Sequence, residues 1–202
     1  MTRPQWIIKK DWLHERVRAV GRCINEAHGG GELTVVPVLT GALIFSGDLM
    51  HWLEDVSVRV QLAQAASYER EVPGDLKVDL SQVDRRHVTG KNVLIVDDIL
   101  DTGRTMHELA GRIGSMNPAS LRIAVLLRKR ARHDPDCPVE PDYVGFEIPD
   151  LFVVGYGLDV DGLHRHWSYI GVWGQHLERN EHEQIVSDIQ RQLGQPPQTA
   201  LA

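Results

Sequence analysis

Short apolar runs alternate with amphipathic segments along the chain. Apolar runs with strand-forming residues occupy residues 33–39, 93–96 and 121–127, and three of the four residues at 93–96 are β-branched. Runs of this length and composition are typical of strands buried on both faces of a sheet. After the first two runs, apolar residues recur every three or four positions, at residues 43–53 and 106–116, which predicts helices. The pattern therefore predicts an α/β fold, with an open, mainly parallel twisted sheet flanked by helices.

The pattern changes near the C-terminus. Residues 178–193 are charged with sparse apolar positions, which predicts a peripheral helix, and residues 195–202 are rich in Pro and Gln, which predicts a disordered tail. We therefore expect one domain over residues 1–175, followed by a peripheral segment over residues 176–202.

Composition and charge restrict the classes of partner and the compartment expected for the protein. The 202 residues carry a formal charge of −6, which argues against a nucleic-acid or membrane surface as the main partner. Two cysteines are too few for a disulfide framework. No apolar run approaches the ~20 residues of a membrane span, and the first residues lack the apolar core of a signal peptide. We expect a cytoplasmic protein with no membrane partner.

The strand over residues 93–96 leads into a polar stretch. Asp97 and Asp98 follow it directly, and residues 101–105 then form an Asp-Thr-Gly-Arg-Thr loop before the next helix. In open parallel sheets, ligands bind outside the carboxyl ends of the strands. A loop that opens a helix there offers free N–H groups and a positive dipole end, which favour a phosphate.

Two adjacent carboxylates would repel a phosphate unless they bind something else. They are explained if they accept hydrogen bonds from sugar hydroxyls, or if a divalent cation lies nearby. A ribose 5-phosphate has a phosphate at one end and a diol at the other, so it suits both halves of the stretch. The alternative is a strand end with solvated acids and an Asp N-cap.

Two segments carry a resemblance to a known family. Residues 97–105 resemble the 5-phosphoribosyl 1-pyrophosphate (PRPP) loop of type I phosphoribosyltransferases. Residues 143–159, from Tyr-Val-Gly-Phe-Glu-Ile-Pro-Asp to Gly-Tyr-Gly-Leu-Asp, resemble the purine-binding segment of the hypoxanthine-guanine phosphoribosyltransferase branch. The similarity covers roughly residues 10–173, and it implies the type I phosphoribosyltransferase fold with a small hood region.

The resemblance implies roles for the PRPP loop. Asp97 and Asp98 would bind the ribose and lie near a Mg²⁺ ion, the expected cofactor. Asp101 would be the general base for the imidazole-ring nitrogen of the purine, with a helix N-cap as the alternative. The 5′-phosphate would be held, mainly by backbone donors, at Thr102, Gly103, Arg104 and Thr105.

The pyrophosphate group of PRPP is assigned to a second loop. The turn at Thr40 and Gly41 follows the first strand, and the family binds pyrophosphate there and through an arginine at the position of Arg165. Many relatives have Lys or Arg where this chain has Thr40. We therefore expect weaker pyrophosphate binding than in those relatives.

The base is assigned to the later segments. The resemblance implies that Lys129 donates to the 6-oxo group of a purine, that Phe152 stacks on the base and that the Val153 backbone recognises its edge. Asp159 would bind near the base and also hold Mg²⁺. The rest of the basic run over residues 128–133 is predicted to be a solvated patch.

A lid is also implied. Ser67 and Tyr68 match the start of a mobile loop that closes over the site in the family, where excluding water protects a reactive sugar cation. The loop is about two residues shorter than in typical relatives and contains Glu-Arg-Glu. A plain connection between two strands is the alternative.

The function implied is salvage of an oxopurine. Hypoxanthine or guanine would react with PRPP to give a nucleoside 5′-monophosphate and pyrophosphate, in a homodimer or homotetramer. The alternatives are a regulatory protein on the same fold that binds nucleotide and RNA, and a transferase for another base such as xanthine. A dinucleotide oxidoreductase is disfavoured, because no G-x-G-x-x-G motif follows a strand.

Overall fold

The computed structural model describes residues 4–67, 76–132 and 134–199. Its helices and strands follow one another along the chain in this order: β1 (Gln5–Ile8), α1 (Lys10–His28), β2 (Glu32–Leu39), α2 (Leu43–Met50), β3 (Ser57–Val60), β4 (Ala63–Ser67), β5 (Leu76–Asp79), β6 (Asn92–Leu100), α3 (Arg104–Gly114), β7 (Ser120–Arg128), β8 (Tyr143–Glu147), β9 (Val153–Val154), β10 (Ile170–Val172), α4 (Arg179–Leu193) and β11 (Gln198–Thr199).

The main sheet is largely parallel. Its strand order is β11-β8-β7-β6-β2-β4-β5, and β3 pairs with the first half of β2. The central strands run parallel, with Val36 opposite Ile95 and Ile95 opposite Ile123, whereas β5 and β11 at the two edges are antiparallel. The predicted open, mainly parallel sheet is confirmed.

Side chains alternate between two hydrophobic cores. In β6, Leu94 and Val96 join the core under α1, α2 and α4, whereas Val93 and Ile95 join the core under α3. This follows from the two-residue period of a strand. Both faces of the central strands are therefore covered by helices, which explains their continuous apolar sequence.

A second, smaller sheet forms the implied hood. It is antiparallel in the order β1-β10-β9, with Trp6 opposite Gly171 and Gly171 opposite Val154. Because β9 and β10 flank residues 155–169, this sheet fixes both ends of the segment that contains Asp159 and Arg165. In the part of the chain that the structure describes, no helix combines the length and apolarity needed to cross a bilayer.

The strand β6 is longer than the sequence pattern predicts. It continues through the two acids to Leu100, which lies opposite Arg128 of β7. Asp97 and Asp98 therefore lie within a paired strand and do not end it. The apolar pattern stops at residue 96, but the backbone of β7 continues to supply hydrogen-bond partners.

The C-terminal segment differs from the predicted disordered tail. The helix α4 matches the predicted peripheral helix, but Gln198–Thr199 then pair antiparallel with β8. The buried Arg16 of α1 donates to the backbone carbonyls of Gln192 and Gln195. A cation at the C-terminal end of a helix satisfies carbonyls that have no partner within the helix, and this arrangement secures α4 against the domain.

Candidate active site

A cleft of about 290 Å³ lies at the carboxyl ends of β2 and β6. This is the edge at which ligands bind in open parallel sheets. Ten of the predicted site residues line it together: Thr40, Gly41, Asp97, Asp98, Asp101, Thr102, Gly103, Thr105, Asp159 and Arg165.

Two buried carboxyl groups form the floor of the cleft. Asp97 is only 8% exposed, and its Oδ1 accepts a hydrogen bond of 2.9 Å from the backbone N–H of Asp98. Burial, together with the neighbouring Asp98 carboxylate, raises the pKa of Asp97 well above its usual range. Burial also raises the pKa of Asp98, opposed by hydrogen bonds and by the charge of Arg165. The pair is therefore poorly solvated and suited to accept hydrogen bonds from a ligand that enters the cleft.

The turn after β2 approaches this pair closely. A side chain at Gly41 would overlap the carboxylate of Asp98, so the backbone can pass there only as glycine. The peptide bond between Leu39 and Thr40 is cis, and Thr40 is exposed at the rim. The predicted pyrophosphate turn therefore lies directly against the predicted ribose acids.

The loop before α3 presents backbone groups. Gly103 has a φ of 89°, a left-handed conformation that favours glycine, and α3 begins at Arg104. The Arg104 side chain pairs with Asp134, Nε to Oδ2 at 2.7 Å, and does not line the cleft. The charge of the Arg104 side chain is therefore paired with Asp134, and the backbone role predicted for Arg104 at a phosphate site stays a prediction.

Asp101 joins the cleft to a cluster of charged side chains. Its Oδ2 is 3.3 Å from Lys129 Nζ, and its Oδ1 is 3.2 Å from Arg132 Nε. The same two cations contact Asp150 Oδ1, at 3.4 Å from Lys129 Nζ and 3.5 Å from Arg132 Nη1. The alternative role of Asp101 as N-cap is wrong, because Gly103 occupies that position and no side chain caps the helix.

The prediction of a solvated patch is wrong for Arg128, which is largely buried, whereas the ion-paired Arg132 is 47% exposed and the side chains of residues 130 and 133 lie outside the described part. Lys129 is buried, Arg132 is paired as described, and Arg128 pairs with Glu140 at 2.5 Å while its side chain is 11% exposed. The sequence pattern could not show this, because the acids that neutralise the run come from other segments of the chain.

Arg165 is held in place from two sides. Its Nη2 lies 2.8 Å from Asp159 Oδ1, and its Nη1 donates to the Gly157 carbonyl at 2.6 Å. The other carboxylate oxygen of Asp159 accepts from the Gly162 N–H at 2.6 Å. Both predicted residues therefore line the cleft as an ion pair.

The remaining predicted base and lid residues are not among those that line this cleft. Phe152 is 53% exposed, and Val153 is buried in β9 opposite Val172. Lys129 reaches the cleft through its contact with Asp101. Ser67 ends β4, whereas Tyr68 lies outside the described residues, so the lid prediction stays a prediction.

Two residues of the charged cluster were not predicted as site residues. Arg132 belongs to the run interpreted as solvated, and Asp150 ends the Glu-Ile-Pro-Asp turn between β8 and β9. The only signal in the sequence was that each lies within a few residues of an assigned position. Their contacts with Asp101 and Lys129 depend on the sheet order, which local patterns do not specify.

Comparison with known proteins matches this architecture. The phosphoribosyl transferase domain family matches residues 12–161. Hypoxanthine phosphoribosyltransferase of Salmonella typhimurium is 38% identical over 161 residues, covering 79% of this chain and 89% of that protein. Human hypoxanthine-guanine phosphoribosyltransferase is 35% identical over 169 residues, covering 79% of this chain and 76% of that protein.

Solved structures agree with the sequence comparison. A hypoxanthine-guanine phosphoribosyltransferase from Bacillus anthracis superposes with a TM-score of 0.76 at 31% identity, covering 85% of this chain and 99% of that one. A Trypanosoma cruzi hypoxanthine phosphoribosyl transferase gives 0.76 at 31% identity, covering 83% and 90%. The cleft, the sheet order and these similarities agree, and the chain belongs to the phosphoribosyl transferase domain family.

Proposed function

We propose that this phosphoribosyltransferase transfers the 5-phosphoribosyl group of PRPP to hypoxanthine or guanine. The observation that carries the proposal is the joining of two regions by Asp101. One region combines the buried acid pair with the start of α3, and the other holds the buried cation of Lys129. The relatives at 35–38% identity are named for the same reaction class.

The acid pair and the loop before α3 suit the ribose 5-phosphate part of PRPP. The first N–H groups of α3 have no partners within the helix, and the hydroxyls of Thr102 and Thr105 line the same cleft. These groups would hold the 5′-phosphate, while Asp97 and Asp98 accept hydrogen bonds from the ribose hydroxyls.

Mg²⁺ is proposed as the cofactor that accompanies the pyrophosphate. Among the described residues, no group of three His, Cys, Asp or Glu side chains forms a complete protein cage for a metal. Mg²⁺ in such sites commonly takes one or two carboxylates together with substrate oxygens and water. The poorly solvated acids Asp97 and Asp98 fit that role, and Asp159 lines the same cleft. When bound, the ion would neutralise charge on the leaving pyrophosphate.

Asp101 is proposed as the general base. As the purine nitrogen bonds to the anomeric carbon, the bond from that carbon to pyrophosphate breaks, and the proton on the purine imidazole ring passes to the Asp101 carboxylate. Arg165 and the backbone around Gly41 would bind the departing pyrophosphate, and Thr40 adds a hydroxyl in place of a charge. A planar guanidinium suits the paired oxygens of this anion.

Lys129 is proposed to select an oxopurine. An ammonium group can only donate hydrogen bonds, so it favours a 6-oxo group over the 6-amino group of adenine. Phe152 would stack on the base, the Val153 backbone would bind its edge, and Asp159 would lie beside it. The Phe152 side chain is 53% exposed, so part of its surface is accessible to a base.

The compartment is proposed from the two cysteines, and the assembly is proposed from the resemblance, which implies a homodimer or homotetramer. Light scattering on the purified protein measures this directly. Cys23 and Cys137 are both free thiols, which suits a reducing cytoplasm.

The direct test is an absorbance assay of the purified protein with PRPP and Mg²⁺ against hypoxanthine, guanine, xanthine and adenine. We expect turnover of hypoxanthine or guanine and no turnover of adenine. Turnover of xanthine alone would change the assigned base. Nucleotide binding without turnover of any of the four bases would contradict the proposed function and favour a regulatory protein on this fold.

A further inference from the structure

Asp150 belongs to the charged cluster around Lys129, but the reaction proposed above gives it no role. It ends the turn between β8 and β9, outside the cleft, and its carboxylate contacts both Lys129 and Arg132. Its side chain is 49% exposed, whereas that of Lys129 is 6% exposed. A half-exposed acid therefore reaches inward to a buried cation.

The position of Lys129 is constrained from three directions. Its backbone N–H donates to the Leu100 carbonyl at 2.9 Å, which fixes the main chain beside β6. Its ammonium group donates to Asp101 Oδ2 at 3.3 Å and to Asp150 Oδ1 at 3.4 Å. An ammonium has three N–H donors. With two of them directed to carboxylates, the direction of the third is set, and that donor is available to a bound ligand.

The two carboxylates are not equivalent during the reaction. Asp101 becomes neutral when it accepts the proton of the purine, so it stops being a counter-ion for Lys129. Asp150 is not among the residues that line the cleft, so it exchanges no proton with the substrate and continues to accept a hydrogen bond from Lys129. If Asp150 were absent, protonation of Asp101 would leave the buried ammonium of Lys129 with no carboxylate partner in the described cluster. Such an uncompensated charge is unfavourable in a poorly solvated site.

Arg132 completes the arrangement. It contacts the Oδ1 atoms of both acids, so that two cations and two anions alternate around the cluster. Each carboxylate therefore touches both cations, and the cluster has no net charge. This fixes Asp150 relative to Asp101 even though the two acids lie in different loops.

We propose that Asp150 is a positioning residue that orients Lys129 toward the 6-oxo group of the purine and keeps it oriented while Asp101 is protonated. The proposal rests on the proposed function, since it takes an oxopurine as the ligand. It adds a specificity determinant outside the cleft, in the turn that precedes the base-stacking Phe152.

The test compares inosine 5′-monophosphate with adenosine 5′-monophosphate, which differ at the 6-position of the purine. Dissociation constants are measured by titration calorimetry for the wild type, for Asp150→Asn and for Asp150→Glu. The same substitution is made in a Lys129→Met background to form a double-mutant cycle. Asp55→Asn is the matched control. Asp55 is an exposed acid in the turn before β3, at the amino ends of the parallel strands and away from the cleft.

We expect Asp150→Asn to weaken the binding of inosine 5′-monophosphate about tenfold, the size expected for a lost hydrogen bond to a charged group. Binding of adenosine 5′-monophosphate should be unchanged, Asp150→Glu should recover part of the loss, and the loss should vanish in Lys129→Met. The Asp55→Asn control should bind both nucleotides as the wild type does.

Three results would overturn the proposal. Equal weakening of both nucleotides would show that the acid only holds the turn, and unchanged binding of inosine 5′-monophosphate would show that Lys129 does not depend on it. In both cases, a wild type that prefers inosine 5′-monophosphate leaves the proposed function intact. A wild type that binds neither nucleotide would overturn the proposed function and this inference together.

Discussion

The two ends of the site are built in different ways. The PRPP end, over residues 97–105, is one continuous stretch that combines buried acids with the backbone of a helix start. The base end combines Lys129 with Asp150 and Phe152, from segments that are separated in the sequence and joined by ion pairs. The two acids at the PRPP end have few compensating partners, whereas the charged side chains at the base end form ion pairs with one another. The local sequence therefore specifies the residues of the PRPP end, whereas the base end depends on the assembled fold.

Asp101 joins the two ends, and its substitution should have the largest effect. Asp101→Asn keeps the shape but removes the proton acceptor, so we expect kcat to fall by about 10²-fold or more. Steady-state turnover of hypoxanthine measures this. A variant that binds inosine 5′-monophosphate with ordinary affinity and turns over slowly supports the assignment. Unchanged kcat would show that the base is elsewhere.

The next largest effect should come from crowding the PRPP end. Gly41→Ala places a methyl group where the Asp98 carboxylate lies, so the turn or the acid must move. Displacements of about 1 Å at such sites can cost on the order of 10²-fold in rate, and we expect a loss of that size in kcat/KM for PRPP.

The matched control for this crowding is Gly47→Ala in α2. A side chain at Gly47 meets no atom within 4 Å, so activity should be kept and stability should rise by roughly 0.5–1 kcal/mol, as for other glycines within helices. Equal losses of activity in the two variants would contradict the close fit of Gly41 against Asp98.

The uncompensated charge at the PRPP end predicts a smaller, pH-dependent effect on stability. Because the pKa of Asp97 is raised in the folded protein, the folded state binds this proton more tightly than the unfolded chain. The contribution of Asp97 to the free energy of unfolding therefore falls as the pH rises from about 4 toward the raised pKa.

Asp97→Asn removes this dependence. Urea midpoints at pH 5 and pH 8 should show that the variant gains stability relative to the wild type, with the larger gain at pH 8. Its kcat/KM for PRPP should fall, since a ribose hydroxyl loses a charged acceptor. A variant less stable than the wild type at pH 8 would show that the Asp97 carboxylate is compensated in the folded protein.

The smallest expected effect concerns the exposed turn. Thr40→Lys adds a charge beside the proposed pyrophosphate position, and an exposed charge pair is worth about 0.2–1 kcal/mol. We expect the inhibition constant of pyrophosphate to fall about threefold. Ser57→Lys adds the same charge at the amino end of β3, away from the site, and should leave the inhibition constant of pyrophosphate unchanged. Equal changes in both variants would indicate a general effect of net charge.

The contrast between the ends also explains what the sequence could predict. The strands, the loop before α3 and the acids next to it follow from short-range periodicity and from contiguous motifs. The extension of β6 to Leu100 needed the pairing partner β7, and β11 needed the exposed edge of β8. The contacts of Arg132 and Asp150 likewise needed the sheet order, because their partners lie on other strands.

The most direct test of the two-ended site is hydrogen exchange measured by mass spectrometry with two ligands. Ribose 5-phosphate should slow exchange over residues 97–106 alone, because it occupies only the PRPP end. Inosine 5′-monophosphate should slow exchange over the same residues and also over residues 147–158, because its base reaches the second end. Protection of both segments by ribose 5-phosphate, or of the first segment alone by inosine 5′-monophosphate, would contradict the assignment of the two ends.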